Sequence, residues 1–191
     1  MSSDSEIIER SRDTPAVFSE LYDRHAATIH RYAARRVGPQ VAEDVMSETF
    51  LVAFERRGDF DITRDNAAPW LYGIATTLLK QHARQEARSW KGLLAESGAQ
   101  VGHDETIASD SRLDARNEMK RLASSLKKMN PGDRDVLLLH AWADLGYEGI
   151  AQALDLPIGT VRSRLNRARK VLRTATDRGA ALKLEGAKWT S

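Results

Sequence analysis

Apolar residues recur along this chain every three or four positions, which is the spacing of amphipathic α-helices. Valine and isoleucine never alternate with polar residues for long enough to indicate a strand. The sequence therefore predicts an all-α protein. Its first half is predicted to hold three or four helices, three of them at about residues 16–37, 41–57 and 69–91. Gly38-Pro39 and Gly58 end the first two of these.

The same spacing returns in the second half. One predicted helix carries an apolar stripe of Met119, Leu122, Leu126 and Met129. Asn130-Pro131-Gly132 ends that helix, and Asp133 is the predicted N-cap of the next one. The apolar residues of this next helix are Val136, Leu137, Leu139 and Trp142. Two further helices are predicted at about residues 147–154 and 157–176.

The segment between residues 92 and 112 has a different composition. It is rich in glycine, serine, alanine and acidic residues and has little apolar periodicity, which is typical of a flexible linker. The sequence thus predicts two small helical domains, at residues 14–91 and 113–177, joined by this linker. Residues 178–191 are predicted to be a frayed tail.

The overall composition narrows the class of protein. The 191 residues are 41% hydrophobic and 29% charged, which is typical of a soluble globular protein. Without cysteine, the chain can form neither disulfides nor thiolate metal sites. No apolar run approaches the roughly 20 residues of a membrane span, and the acidic N-terminus is unlike a secretory signal. We therefore expect a cytoplasmic protein that is not inserted in a membrane.

The distribution of charge is more informative than its sum, which is only +2. Residues 160–173 contain six lysines or arginines and no acid. Between residues 42 and 54 the only formal charges are the acids Glu43, Asp44 and Glu48. The first stretch suits a phosphate backbone, and the second suits a basic protein surface.

Residues 147–173 have the pattern of a helix-turn-helix. The predicted core positions are Ile150, Ala151 and Leu154 in the first helix and Val161, Leu165, Ala168 and Leu172 in the second, with a turn at Asp155-Leu156-Pro157. The residues expected to read DNA are Thr160, Arg162, Ser163, Asn166 and Arg167. Arginine can pair with guanine and asparagine with adenine in the major groove. The alternative is an arginine-rich helix that only faces solvent.

The second helix also resembles a known family. Residues 159–164, GTVRSR, followed by Arg167-Ala168-Arg169, are similar to region 4 of the RNA polymerase sigma factors. That domain reads the −35 promoter element. The upstream helix around Leu137-Leu138-Leu139 resembles the first half of the same domain.

Residues 42–57, AEDVMSETFLVAFERR, resemble sigma region 2.2, which docks on the clamp helices of the polymerase β′ subunit. Helical spacing allows Val45, Thr49, Val52 and Ala53 to face inward. The candidates for binding core polymerase are then the exposed residues Glu43, Asp44, Ser47 and Glu48. Spacing alone fits acids that merely stabilise a helix start equally well, and the resemblance favours docking.

Residues 69–91, PWLYGIATTLLKQHARQEARSWK, resemble sigma regions 2.3 and 2.4, which open and read the −10 element. A polar and mostly basic stripe can follow a phosphate backbone there, formed by Thr77, Lys80, Arg84 and Arg88. The opposite face is expected to hold Leu71, Ile74 and Leu78, with His82 as a further candidate. Thr77 stands where relatives often carry asparagine. Three aromatic residues are either stacking platforms for unpaired bases or core residues, namely Trp70, Tyr72 and Trp90.

The loop before this helix, DFDITRDNAA, corresponds in the family to the segment that holds a flipped −10 base. A flipped base must be met by polar groups that satisfy its pairing edge. Asp65 and Asn66 are the natural candidates in this loop.

The chain has no counterpart of sigma regions 1.1 and 3, so it is identified as a member of the extracytoplasmic-function subfamily of the sigma-70 family. The resemblance implies three partners: core RNA polymerase (the β′ clamp helices and the β subunit), promoter DNA and an anti-sigma factor. No catalytic residue, metal ligand or cofactor is expected. Two alternatives stay open, a stand-alone helix-turn-helix regulator and an adaptor that binds only proteins, and an enzyme is a remote third.

Overall fold

The computed structural model describes the backbone of residues 2–96 and 120–186 and the side chains of residues 2–86 and 120–176. Every regular element in these ranges is helical, which confirms the expected all-α class. Most of the predicted linker lies outside the described residues. The side chains of Arg88 and Trp90 and the whole of Met119 lie outside them too.

The first helix, α1 (Asp4–Asp13), was not expected from the apolar spacing. Ser3 is its N-cap: the Ser3 hydroxyl accepts from the Glu6 N–H, and the Glu6 carboxylate accepts from the Ser3 N–H. Ile7 and Ile8 are fully buried. The sequence does carry a signal for this helix, because serine followed three residues later by glutamate and then by apolar residues marks a capping box.

Three longer helices follow in the first half: α2 (Ser19–Val37), α3 (Pro39–Glu55) and α4 (Ala68–Glu96). Gly38, with a φ of 83°, ends α2 as the sequence predicted. Helix α3 begins at Pro39, two residues before the predicted start at residue 41, because proline suits the first turn of a helix. Among the fully buried side chains are Leu21, Ile29, Tyr32, Val45 and Leu71. The Tyr32 hydroxyl lies 3.0 Å from Thr76 Oγ1, so this buried polar pair is satisfied.

The second half contains α5 (residues 120–128), α6 (Pro131–Trp142), α7 (Tyr147–Leu154) and α8 (Ile158–Gly186). The predicted N-cap at Asp133 was wrong. Helix α6 begins at Pro131, and the Asn130 side-chain oxygen accepts from the Gly132 N–H at 3.0 Å. Asparagine is a strong N-cap and proline suits the first helical position, so Asp133 falls inside the first turn instead.

Two helices are longer than the apolar pattern predicted. Helix α4 continues to Glu96, through the first residues of the predicted linker, and α8 continues to Gly186, into the predicted tail. Neither extension contains a proline, and alanine, leucine, lysine and glutamate are good helix formers. Apolar periodicity therefore underestimated the lengths of these two helices.

The chain divides into two compact units. One comprises Met1–Gly98 with Leu139–Ile158, and the other comprises Ala99–Leu138 with Gly159–Ser191. Within the first unit α7 packs against α4 at Gly73, where a Cβ atom would lie 2.3 Å from the Ala153 carbonyl oxygen. A glycine is therefore required for this close approach. The domain boundaries at residues 14–91 and 113–177 stay a prediction.

Candidate docking and nucleic-acid interface

The acidic face of α3 is on the surface. Its four docking candidates are all exposed, namely Glu43, Asp44, Ser47 and Glu48. On the opposite side Val45, Thr49 and Ala53 are fully buried, and Val52 is half-buried. The Thr49 hydroxyl donates to the Val45 carbonyl at 2.6 Å, which satisfies this polar group inside the core. The orientation of α3 thus agrees with the expected pattern.

Leu51 is a surface residue of α3 that the sequence reasoning missed. It is 57% exposed, the highest value among the large hydrophobic side chains that are described as exposed. Because it follows Glu48 by three residues, it lies on the same helix face. An apolar side chain within an acidic surface is a feature of protein-binding patches, in which an apolar centre is surrounded by polar groups. The sequence does signal this residue, because Leu51 is an apolar side chain at a position that the helical spacing assigns to solvent.

Helix α4 presents the predicted basic stripe. Thr77 and Arg84 are exposed and Lys80 is half-buried, whereas Leu71, Ile74 and Leu78 are buried beneath them. The Thr77 hydroxyl donates to the Gly73 carbonyl at 3.0 Å. Arg88 belongs to the same helix, but its side chain lies outside the described residues.

Tyr72 and Trp70, two of the three aromatic residues near this stripe, differ in burial. Tyr72 is buried, and its ring lies edge-on to Tyr32 at 5.2 Å between centroids, so it is a core residue. Trp70 is half-buried, with its ring centroid 5.1 Å from that of Phe60. Trp90 lies outside the described side chains.

A cleft of about 600 Å³ in the first compact unit connects the acidic and basic surfaces. Glu48 of α3 and Thr77 and Lys80 of α4 all contribute to its walls. Candidates for two different predicted contacts, to polymerase and to the −10 strand, therefore border the same surface depression.

The loop before α4 is exposed from residue 61 to residue 66 and has an ordered internal structure. Asp61 accepts from the backbone N–H of Thr63 at 3.1 Å and from its hydroxyl at 2.7 Å. These hydrogen bonds, together with Arg64, hold the pKa of Asp61 below its usual value. The Asn66 side-chain oxygen accepts from the Ala68 N–H at 2.8 Å, at the start of α4. This bond uses the oxygen of the Asn66 amide and not its NH₂ group.

Asp4 of α1 holds the end of this loop, and the sequence reasoning did not identify it. Its carboxylate is buried and accepts from the Ala67 N–H at 2.8 Å, while its backbone N–H donates to the Asp65 carbonyl at 3.1 Å. Arg24 donates to the other carboxylate oxygen, and His25 Nε2 lies 2.8 Å from Oδ2. Burial raises the pKa of Asp4, but the bonds from His25, Ala67 and Arg24 outweigh burial, so the pKa lies below its usual value.

The predicted turn of the helix-turn-helix lies where the sequence placed it. Helix α7 ends at Leu154, Asp155 adopts a left-handed conformation (φ 50°, ψ 56°), and the Leu156 N–H donates to the Ala151 carbonyl at 2.9 Å. Ile150 is fully buried, whereas Ala151 and Leu154 are half-buried.

The second helix of the motif, α8, separates core from surface as expected. Val161, Leu165 and Ala168 are buried, and Leu172 is half-buried. Of the five candidate reading residues, only Thr160 is half-buried. The other four are exposed, namely Arg162, Ser163, Asn166 and Arg167. The structure thus brings these five side chains to the side of α8 that is away from its buried residues.

The guanidinium of Arg167 is already bound within the protein. Its Nε and Nη2 atoms donate to the two carboxylate oxygens of Asp133 at 2.9 and 2.8 Å. The Asp133 side chain is only 9% exposed. The hydrogen bonds between Asp133 and the guanidinium raise the pKa of Arg167. Arg167 therefore satisfies a buried carboxylate, whatever it also contributes to DNA binding.

Within the described ranges, no group of three histidine, aspartate or glutamate side chains is placed to hold a metal ion. In the same part of the chain, no helix has the length and the apolar character needed to cross a membrane.

Comparison with known families accounts for both halves of the sequence. Residues 21–89 match the family model of sigma-70 region 2, and residues 119–172 match that of sigma-70 region 4.

Curated relatives extend this match over most of the chain. The RNA polymerase sigma-H factor of Pseudomonas aeruginosa is 32% identical over 179 residues, which are 88% of this chain and 91% of that protein. The ECF RNA polymerase sigma factor SigL of Mycobacterium tuberculosis is 32% identical over 162 residues, covering 83% and 88%. SigE of Mycolicibacterium smegmatis is 33% identical over 161 residues, covering 82% of this chain. This chain spans only 60% of the length of that SigE.

Solved structures with the same fold include CnrH in complex with the cytosolic domain of CnrY. Its TM-score is 0.63 and its sequence identity is 24%, and the match covers 91% of this chain and 97% of that one. The sigma factor RpoE of Bartonella quintana, in complex with the anti-sigma factor NepR, has a TM-score of 0.58 and 20% identity, covering 84% and 96%. These likenesses show a shared fold.

Proposed function

The chain belongs to the extracytoplasmic-function subfamily of the sigma-70 factors, and on that premise we propose that it binds core RNA polymerase and directs it to promoters through −35 and −10 elements. The family acts in transcription initiation and is not a family of enzymes, so the polymerase performs the chemistry. The observation that carries the proposal is the exposed acidic face of α3 beside the basic stripe of α4. A stand-alone helix-turn-helix regulator would use neither surface.

The acidic face of α3 is the proposed docking surface for the β′ clamp helices. Glu43, Asp44, Ser47 and Glu48 supply charge and hydrogen-bond acceptors, and Leu51 supplies an apolar centre. Charge complementarity accelerates association and sets orientation, whereas the buried apolar contact contributes affinity.

The two DNA contacts are proposed to use different parts of the chain. Helix α8 reads the −35 duplex in the major groove through the exposed side of its N-terminal half. The stripe of α4 follows the phosphate backbone of the melted −10 strand, and Asp65 and Asn66 meet its flipped base. An adaptor that binds only proteins would not need an acid-free helix with six cations between residues 160 and 173.

Regulation and location follow from the same assignment. Two sigma factors of the same fold were solved with a partner, CnrY and the anti-sigma factor NepR. We propose that an anti-sigma factor likewise restrains this chain. A sigma factor must reach the polymerase and the chromosome, so we place the protein in the cytoplasm.

The docking proposal is tested by measuring the affinity of the chain for core polymerase from a related bacterium. Glu48→Arg and Asp44→Arg are expected to weaken core binding strongly because they reverse the charge at the proposed contact. Asp23→Arg makes the same change at an exposed position of α2 and serves as the matched control. Equal affinities for the wild type, Glu48→Arg and Asp44→Arg would reject this surface.

A further inference from the structure

Helix α1 is bound to the segment that precedes α4 at both ends of that segment. At the N-terminal end of the segment, Arg12 Nη2 lies within hydrogen-bonding distance of three backbone carbonyl oxygens. These belong to Arg57 at 3.4 Å, Gly58 at 3.3 Å and Phe60 at 3.4 Å. Arg57 returns a bond from its Nε to the Ser11 carbonyl at 3.2 Å. Two side chains therefore connect the end of α1 to the start of the segment.

At the C-terminal end of the segment, Asp4 makes two hydrogen bonds with the backbone, one as donor and one as acceptor. Its N–H donates to the Asp65 carbonyl and its carboxylate accepts from the Ala67 N–H. These two bonds flank Asn66 on either side. Because the Asp4 carboxylate is buried and is also held by Arg24 and His25, its position is fixed by groups outside the loop.

The segment from residue 57 to residue 67 is thus fastened by its backbone at both ends, while the side chains of residues 61–66 remain exposed. We propose that α1 positions this loop for promoter reading, with Asp4 and Arg12 as its positioning residues. This inference rests on the proposed function of Asp65 and Asn66. Recognition of a flipped base requires polar groups held close to one geometry, and residues outside the contact must hold them.

A positioning role makes a prediction that a purely structural role does not. If α1 only added stability, its loss would lower the amount of active protein and would reduce transcription from every promoter by the same factor. If α1 sets the geometry of the loop, its loss reduces discrimination between −10 bases. The ratio of transcription from two promoters is independent of the amount of folded protein, so it separates the two cases.

The experiment uses the full chain with core polymerase and templates that differ only at the flipped −10 nucleotide. Asp4→Asn keeps the shape of the side chain but removes the charge that Arg24 and His25 hold. Arg12→Ala removes the bonds at the other end of the loop and lies on the surface, so it gives a folded variant even where Asp4→Asn does not. Glu9→Gln, exposed on the same helix, is the matched control.

The wild type and Glu9→Gln are expected to show the same preference among the templates. In Asp4→Asn and Arg12→Ala the preference should fall at least about fivefold, which corresponds to about 1 kcal/mol. Asn66→Ala distinguishes the two proposals. If Asn66→Ala reduces the preference but neither α1 variant does, the positioning role is rejected. If none of the three changes it, the loop itself does not read the base.

Discussion

At the scale of single residues, the sequence did not reveal how the buried carboxylates of Asp4 and Asp133 are paired. Each is paired with an arginine on another helix, Arg24 and Arg167 respectively. A buried carboxylate is stable only when hydrogen bonds and opposite charge replace its water. Helical spacing predicts which residues share a face, but it holds no information on partners 20 or 34 positions away. The exposure of Arg162 was predictable, and the engagement of Arg167 was not.

Arg162 and Arg167 should therefore respond differently to substitution. Arg162→Ala is expected to weaken −35 recognition by about 1–3 kcal/mol if the contact is bidentate to a base, with little change in stability. Arg167→Ala should also lower the free energy of unfolding, because it leaves Asp133 buried without its guanidinium. Titration with −35 duplexes and urea unfolding measure the two effects. Unchanged promoter selection in both variants would contradict the proposal that α8 reads the −35 element.

The stability that Asp4 contributes should depend on pH. Its pKa is lower in the folded protein than the value of about 3.9 in an unfolded chain. The ionised form therefore stabilises the fold above about pH 3.9, and this contribution is lost as the pH falls through the lowered pKa. Urea unfolding at several pH values should show a difference between the wild type and Asp4→Asn that shrinks as the solution becomes acidic. A difference that grew toward acidic pH would contradict the assigned charge state.

At the scale of helices, the sequence predicted the elements better than their lengths. Gly38-Pro39 ends α2 and begins α3 because glycine adopts positive φ and proline suits a first turn. The extensions of α4 and α8 were missed because their glycines and acidic residues were interpreted as signs of a linker and a tail. Helix α1 has no apolar stripe at helical spacing, because Ile7 and Ile8 are adjacent, and its sequence signal is the capping box of Ser3 and Glu6.

Helix α1 is expected to be an integral part of the core. Ile8 is fully buried, so Ile8→Ala should lower the free energy of unfolding by about 2–5 kcal/mol through lost burial and a cavity. Ile62 is 41% exposed, and Ile62→Ala serves as the control, with an expected change within about 0.5 kcal/mol. Chemical unfolding of the two variants compares them directly. Similar small effects would mean that α1 is not needed for the stability of the fold.

At the scale of the whole molecule, the proposed function uses surfaces of opposite charge in one chain. The acidic face of α3 and the acid-free N-terminal half of α8 were both predictable from the distribution of charge. The two family matches fall on the two helical halves that the sequence indicated. What the sequence could not provide was the attachment of α1 to the loop before α4, since the Asp4–Ala67 bond joins residues 63 positions apart. Such bonds depend on tertiary structure rather than on local pattern.

Promoter-directed transcription tests the central claim most directly. The purified chain is added to core polymerase from a related bacterium, and run-off transcripts are measured on a library of promoter sequences. We predict transcripts that depend on the chain and that come from templates sharing one −35 and one −10 element. A folded chain that binds DNA but yields no transcript with a matched core would contradict the assignment as a sigma factor.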